Sequence, residues 1–377
     1  MDLDRILVNS FAYVWPRNTE SIIPSVAFRL AAMLAWRRIS DLLTMTSIPK
    51  ILDRSFVVLL ASVLLTTSVN QTTSQAQNAP DQRTSEVKIL LTTVDRDGHF
   101  VKTLRADDLR ILHNGVTPTL TGFQLISDRT LSLAILIDTS ASQERTLTGQ
   151  KLAANSFLDS IVRPDRDQVA IATFTSMLTV EQRLTNNVPE LRQAIARAVF
   201  VPPPGYVRGG VVVGPPTRAA RSAMAAASTA LWDAVIATCD ELLSPSGREN
   251  RRAIILLTDG EDTISKNKIA AAVARAVQED VAIYAIGIGD DKLYGINKDG
   301  LRKLTERTGG RAFFPKKVSE LADIFAEIGQ ELRTQYLITF SPAISANGPG
   351  KIKIEIVNPD LRKSDVQLFY QQIVPPK

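Results

Sequence analysis

Two stretches constrain this chain more than any others. Leu131-Ser-Leu-Ala-Ile-Leu-Ile-Asp138-Thr-Ser140-Ala-Ser142 is an apolar run that ends on an aspartate, with two alternate serines directly behind it. Ile254-Ile-Leu-Leu-Thr258-Asp259-Gly260 is a second apolar run that ends in the same way. Near-continuous Val/Ile/Leu runs of this length read as strands covered on both faces, the situation in a parallel sheet between two layers of helices. In such a sheet both aspartates emerge at the carboxyl edge, where open α/β sheets bind their ligands.

The alternation of strand and helix patterns runs from Leu131 to Leu332 and defines an α/β domain over 131–332. Strands are expected at 131–138, 168–175, 253–259, 281–288 and 311–314, and helices at 144–162, 188–199, 229–243, 266–279, 299–307 and 318–332. The segment 178–184 alternates and follows closely on its predecessor, which predicts an antiparallel edge strand. Both flanks are β in pattern. Val87–Val94, Leu109–His113 and Thr119–Ile126 precede the α/β domain, and Gln335–Ser341, Lys351–Val357 and Val366–Tyr370 follow it. Asp95-Arg-Asp-Gly98, Asn347–Gly350 and Asn358-Pro359 read as turns, and Asn114-Gly115 is a strong hairpin signal. Neither flank has enough strands for a stable sheet. The two halves, 86–128 and 335–372, are therefore expected to form one small β-sandwich into which the α/β domain is inserted. Two independent hairpin units packed on the central domain are the alternative.

The 377 residues have ordinary globular composition, 22% charged and 45% hydrophobic. A formal charge of +5 without a basic run or RNA-binding motif argues against a nucleic-acid partner. Lys50-Ile-Leu-Asp-Arg54, the apolar run Ser55–Leu65 and the small-x-small Ser74-Gln-Ala76 follow the order of a signal peptide over 45–76, cut after Ala76. Translation is then expected to start at Met45, with residues 1–44 an upstream extension and 77–85 a polar linker. The reading places the protein in the periplasm or outside a bacterial cell. An uncleaved leader would make it a membrane anchor, although the apolar run is short against the roughly 20 residues a spanning helix needs. Cys239, the single cysteine, permits no intrachain disulfide and reads as a small buried hydrophobe on a helix.

Asp138, Ser140 and Ser142 offer hard oxygen atoms, the donors a small divalent cation prefers. Ser228-Thr229, a hydroxyl pair opening an amphipathic helix, and Asp259 bring further oxygens to the same edge. With Asp138-x-Ser140-x-Ser142, Thr229 and Asp259 in this order, residues 131–332 resemble the von Willebrand factor type A (VWA) family and its metal-ion-dependent adhesion site. The flanking runs DRDGHFVKTLRADDLRILHNG, LTGFQLI and ELRTQYLITFSP resemble a bacterial secreted VWA-related family of acidobacterial type. The resemblance implies a Rossmann-like domain with a mostly parallel central sheet and helices on both faces. It implies an octahedral Mg²⁺ or Mn²⁺ site in which Ser140, Ser142 and Thr229 coordinate directly or through water. Asp138 and Asp259 would bind directly or orient those waters, and one position would stay open for an Asp or Glu carboxylate of a partner protein.

Plainer roles exist for the same residues. Ser142 and Thr229 can cap helices and the aspartates can sit in turns, while Glu261 and Asp262 read as first-turn acids of the following segment. The Pro/Gly-rich stretch Val201–Pro216 is either a partner-selectivity element beside the metal face or an insertion without contacts. Gly287-Ile-Gly289-Asp290-Asp291 lacks the Lys-Ser/Thr of a phosphate loop, and His99 and His113 read as surface or packing residues. No Ser/His/Asp or Cys/His set is evident, so an enzyme is not expected. A metal-assisted hydrolase and a metal-free structural protein of the cell envelope are the alternatives to a binding module.

Overall fold

The computed structural model describes residues 86–202, 206–207, 211–212, 228–247, 249–289, 295–342 and 350–374. The leader with its cleavage site, the 77–85 linker, most of the Val201–Pro216 stretch, Asp290-Asp291 and the turn at Asn347 lie outside the described residues.

The chain begins with β1 (Val87–Val94), β2 (Leu109–His113) and β3 (Thr119–Ile126). Next come β4 (Leu131–Asp138), α1 (Leu147–Ile161), β5 (Gln168–Phe174), β6 (Leu178–Thr185), α2 (Val188–Arg197) and a two-stranded pair, β7 (Tyr206–Val207) and β8 (Val211–Val212). The α/β run continues through α3 (Leu231–Thr238), β9 (Arg251–Thr258), α4 (Ile269–Gln278), β10 (Val281–Gly287), α5 (Lys298–Thr308), β11 (Ala312–Phe313) and α6 (Leu321–Arg333). It closes with β12 (Gln335–Ser341), β13 (Gly350–Ile356), α7 (Pro359–Lys363), β14 (Gln367–Tyr370) and β15 (Ile373–Val374).

The central sheet has the order β11-β10-β9-β4-β5-β6, parallel except for the antiparallel edge strand β6. All eight residues of β4 and of β9 are buried. Period-two alternation sends Leu133, Ile135 and Ile137 to one face, where they pack with Phe157 of α1, Leu191 of α2 and Phe325 of α6. Ala134 and Leu136 point to the other, against Val235 of α3, Val273 of α4 and Leu304 of α5. Helices on both faces explain why these strands are apolar throughout.

The flanks form two further sheets, β14-β1-β12-β3 and β15-β13-β2, with one core between them that includes Ile89, Ile111, Tyr336, Ile338 and Ile354. Each sheet contains strands from both sides of the α/β domain, so the alternative of two independent hairpin units does not describe this fold. Arg333 ties the two crossings together. Its guanidinium donates to Arg129 O and Ile161 O and pairs with the buried Asp167, which in turn accepts from the backbone N–H of Leu131.

Several expectations need correction. Asn114-Gly115 does make a tight turn, with φ of 53° and 82° and reciprocal bonds between His113 and Val116, but no hairpin grows from it. β2 pairs with β13 and β3 pairs with β12, so the chain changes sheets at the turn. Asn358-Pro359 opens the short helix α7, with the Asn358 side chain accepting from Asp360 N. The helix expected over 229–243 is α3 followed by a π-helical turn at Cys239–Leu243, and the one expected from 266 starts at Ile269. Among the described residues no helix is long and apolar enough to cross a membrane.

Candidate metal centre

β4 and β9 are adjacent and parallel, with Ile137 opposite Leu257. Asp138 is therefore the last residue of one strand, and Asp259 directly follows the other at the same edge. Both are almost completely buried, at 0% and 1% exposure. The backbone folds back at each: Ser140 N–H donates to Asp138 Oδ1 at 2.9 Å, and Glu261 N–H donates to Asp259 Oδ1 at 3.0 Å. Asp138 Oδ2 accepts from the Thr258 hydroxyl at 2.6 Å. The Ser140 and Ser142 hydroxyls are 3.2 Å apart.

Thr229 reaches this edge through its backbone. Ala230 N–H donates to Thr175 O just beyond β5, while Thr139 N–H donates to Phe174 O at the end of that strand. The loop after β9 grips Thr229 from the other side, with Thr229 O accepting from Thr263 N–H and Ile264 N–H, and Thr263 Oγ1 accepting from Thr229 N–H. Asp262 caps α3, accepting from Leu231 N–H at 2.8 Å, and Asp233 returns the contact by accepting from Lys266 and Asn267 N–H. This corrects the reading of Asp262 as a first-turn acid of its own segment, which is not helical before Ile269. The capping alternatives for Ser142 and Thr229 do not fit either. α1 and α3 take Thr146 and Ala230 at their N-cap positions, and Ser142 sits in a single 3₁₀ turn.

Sequence reasoning missed Gln143. Fully buried, it donates to Asp259 Oδ2 at 2.7 Å and to Ser142 Oγ at 3.4 Å, and its Oε1 accepts from Thr146 and Gln150. A signal was available, because Gln150 stands at helical spacing among Leu147, Ala154 and Phe157, where an inward-facing amide needs a polar partner. The Oε1 of Gln150 is buried without a hydrogen-bond partner.

Burial, reinforced by the charge of Asp259, pushes the Asp138 carboxyl up to about 7, against the opposing effect of the Ser140 and Thr258 hydrogen bonds. Two buried carboxylates close enough to interact favour a cation that neutralises them. The donors fit a hard divalent ion, with two carboxylates, three hydroxyls and no sulfur or imidazole. Cys239 is buried. His113 packs against Phe340 in the sandwich core, and exposed His99 lies in the loop after β1.

A second acidic group compatible with metal binding lies in that loop, where ligand atoms of Asp95, Asp97 and His99 fall within 4.8 Å of one another. Asp95 Oδ1 there accepts from the N–H groups of Asp97 and His99 and so shapes the turn itself. This group belongs to the sandwich and shares no residue with the strand-end site.

A mostly parallel sheet with helices on both faces, carrying two carboxylates and serine hydroxyls at the carboxyl edge, defines an open-sheet α/β domain with a candidate site at that edge. Two models of the von Willebrand factor type A domain match the chain, at residues 133–261 and 218–327. Residues 133–327 thus form a VWA domain. Among solved structures, the chain is similar to proximal thread matrix protein 1 from the mussel byssus, at 19% identity over 57% of this chain and 49% of that one, with a TM-score of 0.43. The chain thus spans about half the length of the mussel protein. BatB from Bacteroides thetaiotaomicron aligns at 16% identity over 54% of this chain and 98% of its own, with a TM-score of 0.41. A von Willebrand factor type A protein from Catenulispora acidiphila aligns at 14% identity over 67% and 71%, with a TM-score of 0.42. No curated protein matches the chain.

Proposed function

We propose that the chain is an exported, metal-dependent protein-binding module of the bacterial secreted, acidobacterial-type VWA-related kind. It acts in adhesion or assembly, in the periplasm or outside the cell. VWA domains are typically non-enzymatic modules that mediate protein–protein contacts and often hold a divalent metal. In this reading Asp138, Ser140, Ser142, Thr229 and Asp259 hold Mg²⁺ or Mn²⁺. The bound ion supplies a Lewis-acidic position for an Asp or Glu carboxylate of the partner. The observation that carries the reading is the convergence of two almost fully buried carboxylates from neighbouring strand ends, with serine hydroxyls alongside. An unneutralised pair of this kind is costly, and a cation relieves it.

The hydrogen-bond set itself favours a second reading. Thr258, Gln143 and three backbone N–H groups already serve the two carboxylates and their turn, as a metal-free structural domain would require. Calorimetric titration of Mg²⁺ and Mn²⁺ into the wild-type chain and Asp138→Ala separates the two. One-to-one binding lost in the variant supports the module, whereas no binding by the wild type, even with acidic peptides added, supports the structural role.

A further inference from the structure

Among the described residues two edge strands are eight residues long, β6 on the central sheet and β3 on the sandwich, and their edges are finished differently. β6 carries Glu181 and Arg183. The guanidinium of Arg197, at the end of α2, pairs with the Glu181 carboxylate and donates to the Glu181 backbone carbonyl, while Arg183 donates to Glu241 O. Charges and a capped carbonyl of this kind keep a strand edge from pairing with another chain. β3 has neither. From Val116 to Ile126 no residue is charged, and among the described residues β12 alone pairs with β3. Register places the apolar side chains of β3 on one face. Leu120 stands opposite Phe340, Phe123 opposite Ile338 and Leu125 opposite Tyr336, with Thr121 the extra residue of a bulge. Opposite residues share a face of the sheet, and all three partners lie in the sandwich core. Leu120 and Leu125 therefore extend the core layer, yet they are 38% and 43% exposed. With Val116, in the turn before β3, they make up three of the eight large hydrophobic side chains exposed among the described residues, so exposure concentrates at this edge.

We propose that this edge binds a second copy of itself, joining two chains by antiparallel β3–β3 pairing about a two-fold axis normal to the sheet. The unpaired backbone groups of the edge call for an extended strand. The neutral edge offers no counter-charge to an acidic or basic segment, and the uncovered core layer calls for apolar side chains on one face of the incoming strand. β3 meets all three requirements and is its own complement. An axis near Phe123 brings Leu120 of one copy beside Leu125 of the other on the core side, twice over, and merges the two four-stranded sheets into one. The contact uses no residue of the candidate metal centre and stands independently of the metal-dependent reading.

Sedimentation velocity of the full chain at rising concentration tests this, and a monomer–dimer equilibrium unaffected by EDTA is expected. Leu120→Lys and Leu125→Lys should each weaken the dimer by at least about tenfold, because the lost apolar contact occurs twice, with the circular dichroism spectrum unchanged. Gln124→Cys, at an exposed position of β3, should be cross-linked to its copy by a short bismaleimide in the native dimer, since Cys239 is buried. A monomer at every concentration overturns the proposal and leaves the edge to a strand of another protein. A dimer that both Lys variants retain, that EDTA dissociates, or that Gln124→Cys fails to cross-link has its contact elsewhere, and overturns it equally.

Discussion

The side-chain amide of Gln143 donates to Asp259 Oδ2 at 2.7 Å, so a residue just past the end of β4 fixes the carboxylate just past the end of β9. The same amide accepts from Thr146 and Gln150, which couples the edge of the sheet to the first turn of α1.

Replacing Gln143 by Leu keeps the volume and removes this link. A buried carboxylate oxygen, a hydroxyl and an amide lose a partner together, and the expected cost is about 1–3 kcal/mol of stability. Urea unfolding measures it. Mg²⁺ affinity should fall in parallel, because Asp259 is no longer held beside Ser142.

On the metal-dependent reading, Asp138 governs the response to metal. Mg²⁺ in large excess should raise the melting temperature of the wild type, by the equivalent of about 2.7 kcal/mol at one hundred times Kd, and EDTA should reverse the rise. Asp138→Ala should melt at the same temperature with and without Mg²⁺. A metal-induced shift that survives in the variant would place the ion elsewhere, with the Asp95, Asp97 and His99 group the first place to look.

Glu331 gives the pH dependence. Burial pushes its carboxyl up to about 7, although Arg311 is its ion-pair partner. Between the ordinary glutamate value and about 7, the folded protein keeps a proton that the unfolded chain has released. The contribution is therefore fully present in acid and is lost as the pH rises through about 7. Glu331→Gln should flatten the fall in melting temperature across this window. Differential scanning fluorimetry from about pH 4.5 to about pH 8 tests it; an unchanged slope would assign the fall to other groups.

Cys239 is fully buried, and burial pushes its thiol up to about 12. At neutral pH the native protein should react with a chromogenic disulfide reagent far more slowly than the urea-unfolded chain. Equal rates would show that the π-helical turn at Cys239–Leu243 opens readily.

How much of this could be read from the sequence depends on the range of the interaction. The runs ending at Asp138 and Asp259 were legible because a strand covered on both faces must be apolar throughout, and a parallel partner fixes the edge at which it ends. The β6 edge strand was legible from its alternation. Asn114-Gly115 shows where legibility stops. The dipeptide sets its own φ angles, but the partners of β2 and β3 are chosen by residues more than two hundred positions away. Asp262 is similar, since its oxygen serves a helix that precedes it in the chain. Gln143 could have been found, had the inward spacing of Gln150 been treated as a polar group in need of a partner.

None of the three amino-terminal strands pairs with another. β1 takes β12 and β14, β2 takes β13, and β3 takes β12. For the chain this makes every pairing of the sandwich a long-range one. β1 to β3 meet their partners only across about two hundred intervening residues, a closure that costs chain entropy and that the Arg333 clasp holds at its base. A chain cut short of β12 would retain the whole α/β segment and still lack every partner of its first three strands.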